Sequence, residues 1–310
     1  MATMIDRLKA YSLIPEETIA GIIAGVRKQS VAMQLMTRLP NMSTKTAKQA
    51  VLASLPHADF VNGDAGMKIT TDMMWKDKYL VVGEIAAIVP IPQNVLDDAE
   101  YDIWGEVQPA LIEKFGRVFD NQVFNGGNPK APVEWPEGLI PMAENAGNVV
   151  AIGTELDIAE DINQLFGKLE EEEWDVTAIA SQLSLKTKLR GLRDANNQFI
   201  FSPPTGDQPG NIYSVPTIFV GRGTWNKSNA IAIAGEWANA VYSIRKDITF
   251  EVFDTGVISD DEGKVVYNLL QQDMVALRAV MRLAWQVSNP IDIDRDLATS
   301  FPFAVLKPSA

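Results

Sequence analysis

The clearest pattern of apolar and polar positions lies between residues 75 and 127. The segment from Tyr79 to Val89 is apolar on both faces, which is typical of a buried strand that is covered on each side. Pro90 and Pro92 follow it, and helical spacing then continues from residue 94 to residue 125. The pattern therefore predicts an apolar strand that leads into one long amphipathic helix.

The predicted helix has a continuous apolar stripe. The positions of the stripe are Leu96, Ala99, Ile103, Val107, Leu111, Phe115, Val118 and Phe124. Asn94 is the predicted N-cap, and the helix would be roughly 48 Å long at about 1.5 Å per residue. Pro109 lies inside the segment and removes a backbone donor, so we expect either a bend at this candidate kink or two abutting helices.

The regions on both sides of this segment have different patterns. Residues 1–45 contain short amphipathic patches, including Val31 to Leu39, and are predicted to form an arm. Residues 56–78 contain Gly63, Gly66 and scattered charged residues, which favours a two-stranded loop that projects from the body. A proline-rich connector at 128–136 indicates a lobe boundary near residue 135.

The second lobe mixes helices and strands, which places the chain in the α+β class. The predicted helices are 157–169 and the basic segment 183–192. The predicted strands are 176–180, 215–220, 230–234, 240–252 and 265–287, and residues 260–263 form a turn before the last strand.

Composition narrows the possible functions. The chain has 310 residues and a formal net charge of −13, which disfavours a basic nucleic-acid-binding surface, although an acidic wall can still enclose DNA without trapping it. It has no cysteine, and His57 is the only histidine, so thiolate nucleophiles and multi-histidine metal sites are excluded. We expect no secretory signal and no membrane span, because the longest early apolar run, residues 19–26, is too short.

Two clusters of acidic residues are candidate cation sites. The run 170–173 consists of four glutamates, and Asp292, Asp294 and Asp296 alternate. A solvated helix end is the favoured interpretation of the glutamate run. The alternating aspartates lack the glycine and the distant glutamate of a calcium loop, which disfavours a cation site there. We therefore predict no cofactor and no metal. A soluble hydrolase that uses a pair of carboxylates stays open, because 40 acidic residues always offer some pair.

Several sequence segments, in their order along the chain, resemble segments of the major capsid proteins of tailed bacteriophages, which have the Hong Kong 97 fold. The helix entry at 89–98 and the helix exit at 119–126 resemble the junctions of that family's spine helix. The segments 189–196, 214–216, 235–237 and 273–284, with Asn289-Pro290 beyond, resemble later landmarks of the fold. The resemblance extends over roughly residues 50–305, and its order and spacing make it strong.

The resemblance implies a domain plan. Residues 1–45 would be the N-terminal arm and 46–55 the start of the peripheral domain. Residues 56–88 would be an extended loop that overlaps a neighbouring subunit, and 89–134 would be the peripheral domain with the spine helix. The axial domain would be 135–255, the return of the peripheral domain 256–285, and the C-terminal axial segment 286–310.

The resemblance also implies contacts and partners. The candidate intersubunit contacts are His57, Phe60, Met67, Lys68, Trp75, Lys76 and Lys78, and Gly63, Gly66 and Gly83 could supply hinges. The implied partners are further copies of the chain in pentamers and hexamers, packaged double-stranded DNA without sequence-specific binding, a scaffolding protein, a portal and a decoration protein. The implied location is the virion capsid, assembled in the host bacterial cytoplasm.

Two features of the sequence depart from the family pattern, and one alternative to a viral capsid protein stays open. Crosslinking members join a loop lysine to an asparagine with the help of a glutamate, and the corresponding positions here are Asp273 and Val280, so we expect a shell without autocatalytic crosslinks. The long charged extension that serves some members as a scaffold is also missing, so either it has been removed or a separate scaffolding protein assists assembly. An encapsulin, a cellular compartment of the same fold, is the alternative to a viral shell.

Overall fold

The computed structural model describes residues 30–54, 60, 68, 70, 74–98, 102–153, 157–191, 193, 196, 198, 201–202, 210–221, 225–226, 228–288 and 300–308, with backbone only at 50–54 and 74–76. The helices are α1 Val31–Leu35, α2 Gln93–Asp98, α3 Ile103–Phe124, α4 Leu139–Ala146, α5 Ile158–Glu170, α6 Leu185–Leu189 and α7 Leu269–Gln272. The strands are β1 Thr37–Arg38, β2 Thr46–Ser54, β3 Met74–Val81, β4 Gly83–Pro92, β5 Val149–Ala151, β6 Ala178–Gln182, β7 Phe201–Ser202, β8 Gly210–Ile212, β9 Val215–Val220, β10 Ala232–Gly235, β11 Ala240–Phe253, β12 Val257–Ser259, β13 Val265–Asn268, β14 Met274–Val287 and β15 Phe303–Lys307.

The first lobe is a four-stranded sheet in the order β1-β11-β14-β4, with α3 packed on one face. The long strands β11 and β14 pair antiparallel from Ala240↔Val287 to Phe253↔Ala276, and β4 pairs antiparallel with β14. The buried face of α3 consists mainly of Leu111, Phe115, Phe119, Val123 and Phe124. Leu111, Phe115 and Phe124 confirm part of the apolar stripe that the sequence predicts, whereas Phe119 and Val123 complete the buried face in place of Val118, which is only partly buried.

The prediction of one helix from residue 94 to residue 125 is wrong in its first half. The segment is divided into α2 and the 22-residue helix α3, and Asp102 rather than Asn94 caps α3, by accepting a 3.1 Å hydrogen bond from Trp104 N. An N-cap carboxylate ahead of the first turn starts a new helix here. Pro109 marks no break, because α3 continues through it. Pro109 and Gly105 are exposed, so water can satisfy the Gly105 carbonyl that loses its donor.

The apolar run from residue 79 to residue 89 is also not a single buried strand. It divides at Val82 between β3, which pairs with β2 in a separate sheet, and β4, which joins the four-stranded sheet. Glu84, Ala86 and Ile88 on one face of β4 are exposed. The expectation of a cover on both sides is therefore wrong for the single chain. The predicted strand 265–287 is likewise divided by α7 and by Asp273, whose φ is 49°.

The second lobe is a seven-stranded sheet in the order β5-β15-β10-β6-β9-β8-β7. Helix α5 covers one face through Ile162, Leu165 and Leu169, and Asp157 caps it by accepting bonds from Ala159 N and Glu160 N. The sequence predicts this helix to within one residue at each end, and β9 as it is observed. The basic helix is shorter than predicted, and ends at Leu189.

The end of the predicted arm packs into the body. Residues 30–42 lie against α3 and along β11, and Ala32, Met33 and Met36 are buried in the same cluster as the spine helix. The rest of the arm, 1–29, lies outside the described residues.

Candidate intersubunit surfaces

The extended loop begins as a two-stranded ribbon formed by β2 and β3, called here the loop ribbon. Its register runs antiparallel from Thr46↔Val81 to Ser54↔Met74, and it forms a sheet of its own. Lys48 and Asp77 form an ion pair of 2.6 Å on it. A two-stranded ribbon alone is marginally stable in water, so a ribbon that projects from the body is suited to packing on another surface.

Lys78 attaches the loop ribbon to the first lobe. Its ammonium group donates a 2.8 Å hydrogen bond to the Val287 carbonyl at the end of β14, and Gln286 Nε2 donates to the Tyr79 carbonyl at 3.3 Å. Burial lowers the pKa of Lys78 to about 8, because the charged form loses hydration. This bond attaches Lys78 to its own chain, and the predicted intersubunit contact of Lys78 stays a prediction.

Trp135 packs against Gly83, where the chain passes from the loop ribbon to the four-stranded sheet. Its indole nitrogen donates a 2.7 Å hydrogen bond to the Val81 carbonyl. A Cβ on residue 83 would lie 2.5 Å from the Trp135 ring and 3.1 Å from Pro132. The φ angle of Gly83 is not positive. Gly83 therefore permits a close approach of the tryptophan, and the expected hinge role has no support in its backbone conformation.

The remaining predicted loop contacts are only partly within the described residues. Phe60 and Lys68 are exposed. Trp75 and Lys76 belong to β3, and only the backbone of these two residues is described. His57, Met67, Gly63 and Gly66 lie outside the described residues.

A second ribbon, β12 with β13, projects from the far end of the four-stranded sheet and is called here the tip ribbon. Asp260 Oδ1 accepts bonds from Glu262 N and Lys264 N, and Gly263 has a φ of 82°, which confirms the predicted turn. The exposed large apolar side chains of the tip ribbon and the adjacent α7 are Val257, Val265, Val266, Tyr267 and Leu270. This surface is not predicted from the sequence, although the three consecutive apolar residues at 265–267 are a signal for it.

The open face of the four-stranded sheet carries paired charges. Arg282 forms an ion pair of 2.5 Å with Glu84, and Arg278 forms one with Glu251 and lies over the Phe253 ring at 4.8 Å. Ala86 and Val280, which are register partners, lie between these pairs. Val280 offers no carboxylate to assist an amide-forming reaction at this position.

The predicted acidic clusters do not form a metal site in the part of the chain that the structure describes. Glu172 instead holds the start of the last strand: its carboxylate accepts bonds from Phe301 N at 3.0 Å and from Asn148 Nδ2 at 3.2 Å. Trp174 Nε1 donates to Ser300 Oγ at 3.1 Å beside it. The alternating aspartates at 292, 294 and 296 lie outside the described residues. None of the described helices is long and apolar enough to cross a membrane.

Comparison with known proteins agrees with this architecture. The phage capsid family model matches residues 11–293. The major capsid protein of Staphylococcus phage 80alpha is 25% identical over 291 residues, which are 92% of this chain and 85% of that protein. A solved structure from Microbacterium phage Oxtober96 has a TM-score of 0.79 and 36% identity, and covers 90% of this chain and 91% of its own. One from Mycobacterium phage Adephagia has a TM-score of 0.75 and 27% identity, and covers 91% and 90%. The chain belongs to the phage capsid family and has the Hong Kong 97 fold.

Proposed function

We propose that the chain is a major capsid protein that assembles into the icosahedral shell enclosing the double-stranded DNA of a tailed bacteriophage. The observation that carries the proposal is the pair of separate two-stranded ribbons, the loop ribbon and the tip ribbon. Each forms a two-stranded sheet outside the two main sheets. A subunit with this shape is stabilised most when copies of itself cover both ribbons.

The tip ribbon supports self-association most directly. Val265 and Val266 are adjacent in one strand, so they face opposite sides of the ribbon, and their exposed fractions are 56% and 46%. A group of exposed apolar side chains on adjoining elements commonly marks an interaction surface. Burial against other copies would remove this surface from water. Phe60 and Lys68 would extend the contact area at the extended loop.

The domain plan follows from the same proposal. Residues 56–88 are the extended loop, 89–134 and 256–285 build the peripheral domain, and 135–239 with the C-terminal segment form the axial domain. Strand β11, at the end of the expected range 135–255, is assigned to the peripheral domain because it pairs with β14 in the first lobe. Pentamers and hexamers place the axial domains around their symmetry axes. The proposed partners are packaged DNA without sequence-specific binding, a scaffolding protein, a portal and a decoration protein, and assembly takes place in the host cytoplasm.

The shell is proposed to be held together without covalent crosslinks and without enzymatic activity. Asp273 and Val280 occupy the positions at which crosslinking relatives have an asparagine and a glutamate. Purified particles boiled in detergent should therefore migrate as a single band of the 34.0 kDa chain. A ladder of higher bands would contradict this part of the proposal.

Electron microscopy of the purified protein tests the function itself. We expect closed icosahedral particles, formed with a scaffolding protein if the chain alone is insufficient. Particles from infected cells should contain DNA that is protected from nuclease. An enzyme cargo in place of DNA would support the encapsulin alternative, and a discrete monomer by light scattering under all these conditions would contradict a shell protein.

A further inference from the structure

Asp120, on the buried face of the spine helix α3, contacts the start of the chain. Its side chain is 2% exposed. The carboxylate accepts hydrogen bonds from Ser30 Oγ at 2.6 Å, from Val31 N at 3.0 Å and from Ala32 N at 3.0 Å. Ser30 Oγ in turn accepts from Met33 N at 3.1 Å. One buried carboxylate thus satisfies the first donors of a short helix that lies about 90 residues earlier in the sequence.

Residues 30–42, called here the strap, contain α1 and the edge strand β1 of the first lobe. After α1, the strap runs beside β11, with Thr37 and Arg38 paired to Val241 and Tyr242 at the edge of the sheet. Leu39 N donates to the Tyr242 carbonyl at 2.8 Å, and Met42 N donates to the Ile244 carbonyl at 3.1 Å. Because the edge strand β1 has a partner on one side only, the strap can separate from β11 without breaking the pairing of β11 with β14.

The bonds between Asp120 and the strap depend on each other. A buried carboxylate without donors is costly, and so are the free N–H groups of a buried first helical turn. Burial raises the pKa of Asp120 to about 6, although the bonds from Ser30, Ala32 and Val31 act in the opposite direction. The ionised carboxylate is therefore costly in the apolar cluster, and among the described residues it is the donors of the strap that offset this cost.

We propose that Asp120 is a catch that holds the strap on the spine helix. When the catch is open, the strap detaches from the spine helix and from β11, while the pairing of β11, β14 and β4 stays intact. The catch works through three polar contacts at one side chain. The apolar residues Ala32, Met33 and Met36 fill the core only while it is closed.

Hydrogen exchange of the unassembled full-length chain tests the catch. Asp120→Asn keeps the shape but replaces one acceptor oxygen with an amide group that faces a strap donor. We expect the backbone amides of residues 33–42 to exchange about tenfold faster or more, because charged hydrogen bonds are lost. The amides of β14 should keep the wild-type rate.

Asp161→Asn is the matched control. Asp161 is also a buried aspartate, with 1% exposure, and accepts a bond from Gly153 N in the second lobe. It should leave exchange in the strap unchanged. Ser30→Ala removes one of the three contacts to Asp120, and should open the strap to a smaller extent at the same residues. Strap exchange that stays at the wild-type rate in both Asp120→Asn and Ser30→Ala, or that rises only together with β14, would overturn the proposal.

Discussion

The indole nitrogen of Trp135 donates a 2.7 Å hydrogen bond to the backbone carbonyl of Val81, where the chain passes from the loop ribbon into the central sheet. The proline-rich connector thereby fastens the base of the extended loop. Lys78 fastens the same base through its hydrogen bond to the Val287 carbonyl. Movement of the loop relative to the body has to begin beyond these two contacts.

Gly83→Ala should destabilise the unassembled chain by about 1–3 kcal/mol, because the new methyl group would overlap the Trp135 ring. Urea unfolding followed by tryptophan fluorescence measures the change. Gly167→Ala is the control, because a Cβ at that helical position meets nothing within 4 Å and should stabilise by roughly 0.5–1 kcal/mol. If Gly83→Ala is as stable as the wild type, the close-approach role is wrong.

The free energy of unfolding is expected to depend on pH through the ionisation of Lys78. Its pKa of about 8 in the folded chain lies below the ordinary value of 10.5, so the unfolded chain binds more protons between these values. The free energy of unfolding should therefore rise with pH from about 8 to about 10.5 through this group. Lys78→Met should flatten that rise in urea unfolding measured at several pH values, whereas Lys264→Met, at an exposed lysine, should not.

Pro109→Ala should stabilise the unassembled chain by about 1–3 kcal/mol, because the new N–H can bond the Gly105 carbonyl within the continuous helix. Gln108→Ala is the control and should change stability by no more than a few tenths of a kcal/mol. We also propose that Pro109 lets the spine helix change curvature when the shell expands. Normal expansion of Pro109→Ala particles in electron micrographs would count against that role.

Leu270→Asp should prevent assembly without unfolding the subunit. Leu270 is 73% exposed, so its replacement should change the stability of the single chain by less than about 0.5 kcal/mol. In the assembled shell it would place a charge in an apolar contact. Sedimentation should show unassembled subunits for this variant and particles for Ser259→Asp, which adds the same charge at an exposed polar position of the tip ribbon. Normal particles from Leu270→Asp would remove this part of the tip from the interface.

Glu172→Ala should destabilise the second lobe by about 1–3 kcal/mol, because Phe301 N loses its acceptor and Asn148 Nδ2 loses one of its two. Strand β15, which these contacts position, lies between β5 and β10 in the sheet. Glu171→Ala, at the exposed neighbouring glutamate, should stay within about 0.5 kcal/mol of the wild type. Equal unfolding midpoints for the two variants would show that Glu172 does not anchor the last strand.

Local patterns predicted the elements whose stability depends on nearby residues. Asp157 and the apolar spacing after it defined α5, because capping and amphipathicity both act within a few residues. The turn at 260–263 was correct for the same reason. The order of the family-like segments along the chain then indicated the phage capsid family, which the comparisons confirm.

The sequence by itself therefore determined the α+β class, the apolar face of the spine helix and the family. Only the tertiary structure decided how the run from residue 79 to residue 89 is shared between two sheets, because strand pairing depends on partners far along the chain. It also decided the roles of Gly83 and Asp120. Each depends on a long-range contact, with Trp135 or with Ser30, and such a contact leaves no periodic signal in the sequence around either residue.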